Sequence, residues 1–172
     1  MLIRAFIKNF LSFDEETLLS LYPGKGPENR HVVRKENRDD IPALKTAVVY
    51  GANASGKSTL VKAVSFMKHF VTKGFSAPTG INYQPFKLSD NSNEKSKIEF
   101  EIKANGACYA YGVDFNREEV IEEWLVKINK RTEQTIYKRK NLKDSVKVVF
   151  DKVQFDSKEN EQFAHFTGRG TP

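Results

Sequence analysis

The sequence predicts an α/β fold with an antiparallel β wing, on three observations. A short apolar run, Thr46-Ala47-Val48-Val49-Tyr50, passes through a glycine-bounded loop into a stretch of helical period. Upstream of it, residues 2–7 and 16–22 read as two strands. Downstream, the spacing of apolar residues changes from the helical period to strict alternation and stays there.

Leu2-Ile3-Arg4-Ala5-Phe6-Ile7 is rich in β-favouring residues and contains no turn signal, whereas Ser12-Phe13-Asp14-Glu15 makes a turn into the second strand. Residues 23–42 are polar and charged, broken by Gly24, Gly26 and Pro27. They are expected to form a long loop insertion of the functional or mobile kind. The run 46–50 has the length and composition of a strand buried on both faces. Leu60, Ala63, Val64, Met67, Phe70 and Val71 recur at i, i+3, i+4 and i+7, with Lys62, Ser65, Lys68 and His69 opposite. That stripe predicts an amphipathic helix ending at Gly74.

Alternation then takes over. Ile98, Phe100 and Ile102 alternate with Glu99, Glu101 and Lys103, and Asn105-Gly106 is a strong hairpin signal. The return strand puts Tyr109, Tyr111, Val113 and Phe115 on one face, and Trp124, Val126 and Ile128 continue the pattern. Residues 134–139 and 146–150 read as further strands. Tyr109, Tyr111, Phe115 and Trp124 are expected on the inner face of a sheet rather than as a base-stacking platform. The organisation is therefore a lobe over 1–150, with the insertion at 23–42 and the wing at 97–150. Residues 151–172 show no strong periodicity and are expected to be an incomplete or irregular tail, as if the chain stopped within a domain.

Composition removes several classes of function. Hydrophobic residues make up 39% and charged residues 29%, ordinary values for a soluble globular chain. No apolar run approaches the ~18 residues of a membrane span, and the charged start has no small-residue cleavage site. Cys108 is the single cysteine, which excludes an internal disulfide framework and a cysteine-rich zinc site. It is expected to be a buried or half-buried residue of the hairpin, in a reducing, cytoplasmic setting. His31, His69 and His165 share no ligand spacing, so no metal site is expected on them. Between residues 127 and 149 lie eight basic residues and two acids, a surplus equal to the whole net charge of +6. Such a stretch suits either a lysine-protected edge hairpin or a nucleic-acid contact. The insertion adds Arg30, Arg34, Lys35 and Arg38, which suit a solvated loop better than a nucleotide contact.

One motif carries chemistry. Gly51-Ala52-Asn53-Ala54-Ser55-Gly56-Lys57-Ser58 fits the pattern G-x-x-x-x-G-K-[ST], and Thr59 follows at the helix start. The pattern needs these residue types. Glycines at 51 and 56 permit backbone conformations and close approaches that a side chain obstructs. Successive amides can then point at phosphate oxygens at a helix N-terminus. Lys57 brings a mobile ammonium to the β- and γ-phosphates, and the Ser58 hydroxyl suits Mg²⁺. The expected ligands are ATP and Mg²⁺, held by residues 51–59.

The same residues carry a family resemblance. Tyr50 through Thr59 resembles the G-x-N-G-S-G-K-S loop of ABC-type ATPases in the RecF and chromosome-maintenance group. Ile7-Lys8-Asn9-Phe10-Leu11-Ser12-Phe13 resembles their opening NF-x-SF strand and turn. Ala54 replaces the usual glycine, in common with the bacterial AAA-family ATP-binding proteins of the abortive-infection (AbiLi/RloA-like) type. Gln84-Pro85-Phe86-Lys87-Leu88, Tyr109-x-Tyr111-Gly112 and Ile121-Glu122-Glu123-Trp124-Leu125 are similar to that subgroup too, so the resemblance spans roughly residues 1–140. It implies the N-terminal lobe of an ABC-like P-loop NTPase. It also implies Gln84 as a catalytic residue beside Lys57, touching Mg²⁺ and the attacking water. In such proteins ATP hydrolysis in head-to-head dimers drives a conformational switch, which the resemblance implies to serve bacterial anti-phage defence with an effector partner.

Parts of that family's pattern do not occur in these 172 residues. There is no Leu-Ser-Gly-Gly-type signature, no acidic pair closing a Walker B strand and no switch histidine after it. Val148-Val149-Phe150-Asp151 is the nearest to a Walker B strand, with Asp151 as its metal ligand, but Lys152 stands where a catalytic glutamate would. Two other readings therefore stay open: a nucleic-acid-binding or interaction module with a vestigial loop, and an inert fragment. Salt-dependent nucleic-acid binding without nucleotide would favour the first, and failure to bind any nucleotide the second.

Overall fold

The computed structural model describes residues 1–25, 30–33, 40–74, 80–88, 94–142 and 145–150. In chain order the elements are β1 (Leu2–Lys8), β2 (Thr17–Ser20), β3 (Val32–Val33), β4 (Ala43–Leu44), α1 (Lys57–Lys73), β5 (Ser96–Ala104), β6 (Ala107–Phe115), β7 (Val120–Ile128), β8 (Glu133–Leu142) and β9 (Ser145–Phe150). Seven strands form one sheet in the order β2-β1-β5-β6-β7-β8-β9, every neighbouring pair antiparallel. The strands β3 and β4 pair separately.

Turn chemistry sets the meander. Asn105 (φ 50°) and Gly106 (φ 74°) both take the left-handed conformation that the β5–β6 hairpin requires, as the dipeptide predicts. Between β6 and β7 the Asn116 side chain accepts hydrogen bonds from the amides of Glu118 and Glu119, both at 2.8 Å, and so forms the turn itself. The β7–β8 connection closes with the Asn129 amide donating to the Thr132 carbonyl.

Alternation gives the sheet an apolar face toward α1. Ile7, Ile98 and Val113 lie in register across β1, β5 and β6, and are fully buried together with Phe115. Helix α1 covers them with Ala63 and Met67, while Leu60, Phe66 and Phe70 pack at the margin. Phe10, Phe66, Tyr83 and Phe115 complete the core as a ring cluster. Its Tyr83–Phe115 and Phe66–Phe115 centroids are 4.7 and 5.0 Å apart. Such ring pairs add about 0.5–1.5 kcal/mol each beyond the area they bury. Gly74 ends the helix as expected, with φ 68° and its amide bonded to the Phe70 carbonyl.

Five expectations need correction. The run 46–50 is not a buried strand: it pairs with no described strand, and Val48 and Tyr50 are 86% and 90% exposed. An apolar pentapeptide becomes a buried strand only where layers cover both of its faces, and the sheet here runs elsewhere. The helix stripe is rotated from the predicted one, so Val64 and Val71 face outward with Val61. Trp124 is not on the inner face. It lies opposite Gly112, on the sheet face away from α1, and a β-carbon at 112 would run into its indole ring. The insertion is not solvated throughout: Asp40 and Ile41 are buried, and Ile41 joins Ile3, Ala43, Cys108, Ala110 and Ile128 in a second cluster. There Asp40 accepts from Lys103 Nζ at 2.5 Å, and Cys108 is buried as expected. Arg34, Lys35 and Arg38 lie outside the described residues.

The fifth correction concerns the basic stretch. Lys138, Lys140 and Lys147 are exposed on the β8–β9 side of the sheet, but Arg139 is buried beside Glu123 at 3.8 Å. Both Tyr111 and Tyr137 donate their hydroxyls to Glu123 Oε1, at 2.7 and 2.6 Å. Burial, then the carboxylate they serve, push both phenol pKa values well above the ordinary tyrosine range. Alternation reversed the side of one basic residue in the stripe.

Candidate functional site

The loop at 51–56 begins without a strand and ends at the N-cap of α1. Gly56 occupies that cap with φ 91°, and Ala54 also takes a left-handed conformation at φ 65°. Lys57 opens the helix and curls back over the loop. Its ammonium donates to the carbonyls of Gly51 (2.8 Å) and Ala52 (2.5 Å) and to Ser55 Oγ (3.3 Å). A positive charge is therefore held inside the curve of the loop.

The helix end is open. No side chain caps α1, and its first turn carries no acidic residue. No side chain thus offsets the positive end of its dipole, although the Thr59 amide donates to the Gly56 carbonyl at 3.0 Å. Ser58 is exposed on the first turn. Thr59 is buried, its hydroxyl 2.6 Å from Ser12 Oγ.

That contact belongs to a turn that closes between Phe10 and Phe13, two residues before the expected turn at Ser12–Glu15. Phe10 and Phe13 exchange backbone hydrogen bonds at 2.9 and 3.0 Å. Phe13 lies so close to Gly56 that a β-carbon there would sit 2.8 Å from its ring. Gly56 is thus required twice, by its φ and by this close approach. On the other side of the turn, the Leu11 amide donates to the Gln84 carbonyl at 2.8 Å. Fully buried Asn9 (φ 49°) anchors the turn. Its Nδ2 donates to the Glu94 carbonyl, its Oδ1 accepts from the Phe86 amide, and its own carbonyl accepts from Ser96 Oγ.

The structure thus joins residues 51–59 to Ser12 and Phe13, and holds the Gln84 backbone to the same turn while the Gln84 side chain is exposed. Asp151 lies outside the described residues. Asn9, Ser12 and Phe13 were missed as site residues. The signal was present in Asn9-Phe10-Leu11-Ser12-Phe13, but a turn motif does not say which loop it will touch.

A groove of about 730 Å³ on the sheet face bearing Trp124 is no rival for phosphate. Six carboxylates and four lysines line it, none of them from residues 51–59. Burial there raises the Glu99 pKa.

Ala54 offers a separate check on the loop geometry. A left-handed conformation costs a residue with a β-carbon about 1–2 kcal/mol, and glycine loses part of that gain through its freer unfolded chain. Ala54→Gly is therefore expected to stabilise the chain by roughly 0.5–1 kcal/mol, read as a higher urea midpoint. A lower midpoint would contradict the positive φ at 54.

A glycine-bounded loop that opens an uncapped helix, with its lysine turned into the loop, defines a P-loop protein. Residues 47–165, more than half of the chain, match the family described as "AAA domain, putative AbiEii toxin, Type IV TA system". The chain belongs to this AAA domain family, and so to the P-loop ATPase-like, nucleotide-binding proteins. Comparison with curated proteins gives no match. Among the described residues, no helix is long and apolar enough to cross a membrane.

Proposed function

We propose that this lobe binds Mg-ATP at residues 51–59, as the nucleotide-holding part of an ABC-like ATPase. The observation that carries the reading is the Lys57 ammonium, bonded to the Gly51 and Ala52 carbonyls in front of an uncapped helix end. Those carbonyls are weak, exchangeable partners for a cation, and phosphate oxygens are better ones. On binding, Lys57 would exchange loop carbonyls for phosphate oxygens, and the amides of 52–58 would donate to the same group. The exposed Ser58 hydroxyl is a hard oxygen donor suited to Mg²⁺, which would neutralise phosphate charge when bound. Gln84 is the candidate for orienting water, and Asp151 for a second metal ligand. Calorimetric titration with Mg-ATP tests the reading: saturable binding at one site is expected, and absence of binding would refute it.

The larger cycle extends this proposal by family resemblance. Hydrolysis in a homodimer would drive a conformational switch passed to an effector partner. The toxin in the family's description supports a setting in bacterial defence. Hydrolysis needs a phosphate cradle, metal-holding acids and a group that orients water. The 172 residues contain neither a signature loop nor an acidic pair closing a Walker B strand. A polypeptide of these residues is therefore expected to release phosphate no faster than its Lys57→Ala variant, and to form no ATP-induced dimer. Release well above that control, lost on Asp151→Asn, would contradict this and make residues 148–151 a working Walker B strand.

A further inference from the structure

We infer that Ser12 is a positioning residue for the phosphate loop: it sets the first turn of α1 from outside and ties that turn to residues 84–86. The inference rests on the nucleotide-binding reading above and names a part of the site that the P-loop motif does not contain.

A helix start must be held by something. A serine or aspartate at the N-cap would do so, but it would take up one of the amides of the first turn. Here the cap is Gly56, no side chain bonds to it, and no acid stands in the first turn. The Ser12–Thr59 hydroxyl pair, at 2.6 Å, supplies a hold that uses no backbone donor. Phe13 adds a second hold, because its ring abuts Gly56 and the end of the loop cannot shift toward it. The amides of the first turn are therefore not taken up by a side-chain cap while their position is fixed.

The support is itself stiff. Asn9 and Leu11 both take positive φ, and the Phe10–Phe13 exchange closes the turn. Its hydrogen bonds continue outward, from the Leu11 amide to the Gln84 carbonyl and from the Phe86 amide to Asn9 Oδ1. Thr59, Ser12, Leu11, Gln84, Asn9 and Phe86 form one connected set across three stretches of chain. Ligation at the loop that shifts the first turn of α1 pulls on this set through the Ser12–Thr59 bond. That is a physical link between the phosphate loop and the segment carrying Gln84, and Ser12 is where it can be cut.

Residue-resolved hydrogen exchange with and without saturating Mg-ATP, with binding measured in parallel, tests it. In the unmodified chain Mg-ATP is expected to slow exchange at amides 52–58 and also at Leu11 and Phe86. Ser12→Ala should bind Mg-ATP about 2- to 13-fold more weakly, the worth of one neutral hydrogen bond. At saturation it should keep protection at 52–58 but lose the response at Leu11 and Phe86, and Ser12→Thr should restore both. A merely structural Ser12 would lower the melting temperature without separating the two responses. Thr59→Val removes the same bond from its other end and serves where Ser12→Ala does not fold. Wild-type affinity together with an unchanged Leu11 and Phe86 response in Ser12→Ala would overturn the inference. So would binding by the unmodified chain without any response at those two amides. No protection at 52–58 in the unmodified chain would instead overturn the nucleotide-binding reading, and the inference with it.

Discussion

Lys57→Ala is expected to weaken Mg-ATP binding by about 10- to 150-fold while leaving the fold in place. The magnitude is that of one charge-assisted hydrogen bond, about 1.5–3 kcal/mol. The bonds that Lys57 makes to the loop go to exposed backbone and to Ser55, so their loss costs the chain little stability. Binding and stability should therefore separate: calorimetry records the loss in affinity, while the urea midpoint stays close to that of the unmodified chain. Equal affinities for the two proteins would remove Lys57 from the site.

Asn9→Leu should do the reverse and strike at the fold. Asn9 is fully buried, and its side chain satisfies the Glu94 carbonyl and the Phe86 amide at 2.8 and 2.9 Å. Leucine abandons both groups, at about 1–3 kcal/mol for each one left unsatisfied. It must also take a φ near 49°, which asparagine tolerates better than leucine. The two abandoned groups alone cost about 2–6 kcal/mol, a large share of the roughly 5–15 kcal/mol that a domain holds. Urea denaturation should show most of the transition lost or moved to low denaturant. A loss below about 1 kcal/mol would mean that the Asn9 bonds are not what anchors the turn.

These two residues also mark how far the sequence could be read. The loop that Lys57 curls over was legible as a motif because the whole pattern is local and lies within nine consecutive residues. Asn105-Gly106 and Gly74 were legible for the same reason, since a positive φ is a local requirement. What depended on distant chain was not. Residues 46–50 have strand chemistry, but strand formation needs a neighbour, and no described strand pairs with them. Alternation told which residues of β7 share a face but not which face meets α1, so Trp124 was put on the wrong one. Arg139 reads as one more surface cation, and only the fold brings Glu123 to it. Asp40 and Ile41 sit in a polar stretch and are buried by contacts with β5 and β6 that no local pattern announces. Ser12 belongs to the same group, as its partner Thr59 lies 47 residues away.

The central question is where a nucleotide sits. The basic stretch at 127–149 could attract any polyphosphate by charge alone, so affinity by itself does not locate the site. The most direct measurement is a titration of backbone amide chemical shifts with Mg-ATP at physiological salt. Saturating shifts are expected at residues 52–59, with Lys57→Ala removing most of them at the same ligand concentration. Shifts confined to residues 127–142 and 145–149, fading as salt is raised and indifferent to Lys57→Ala, would contradict this expectation.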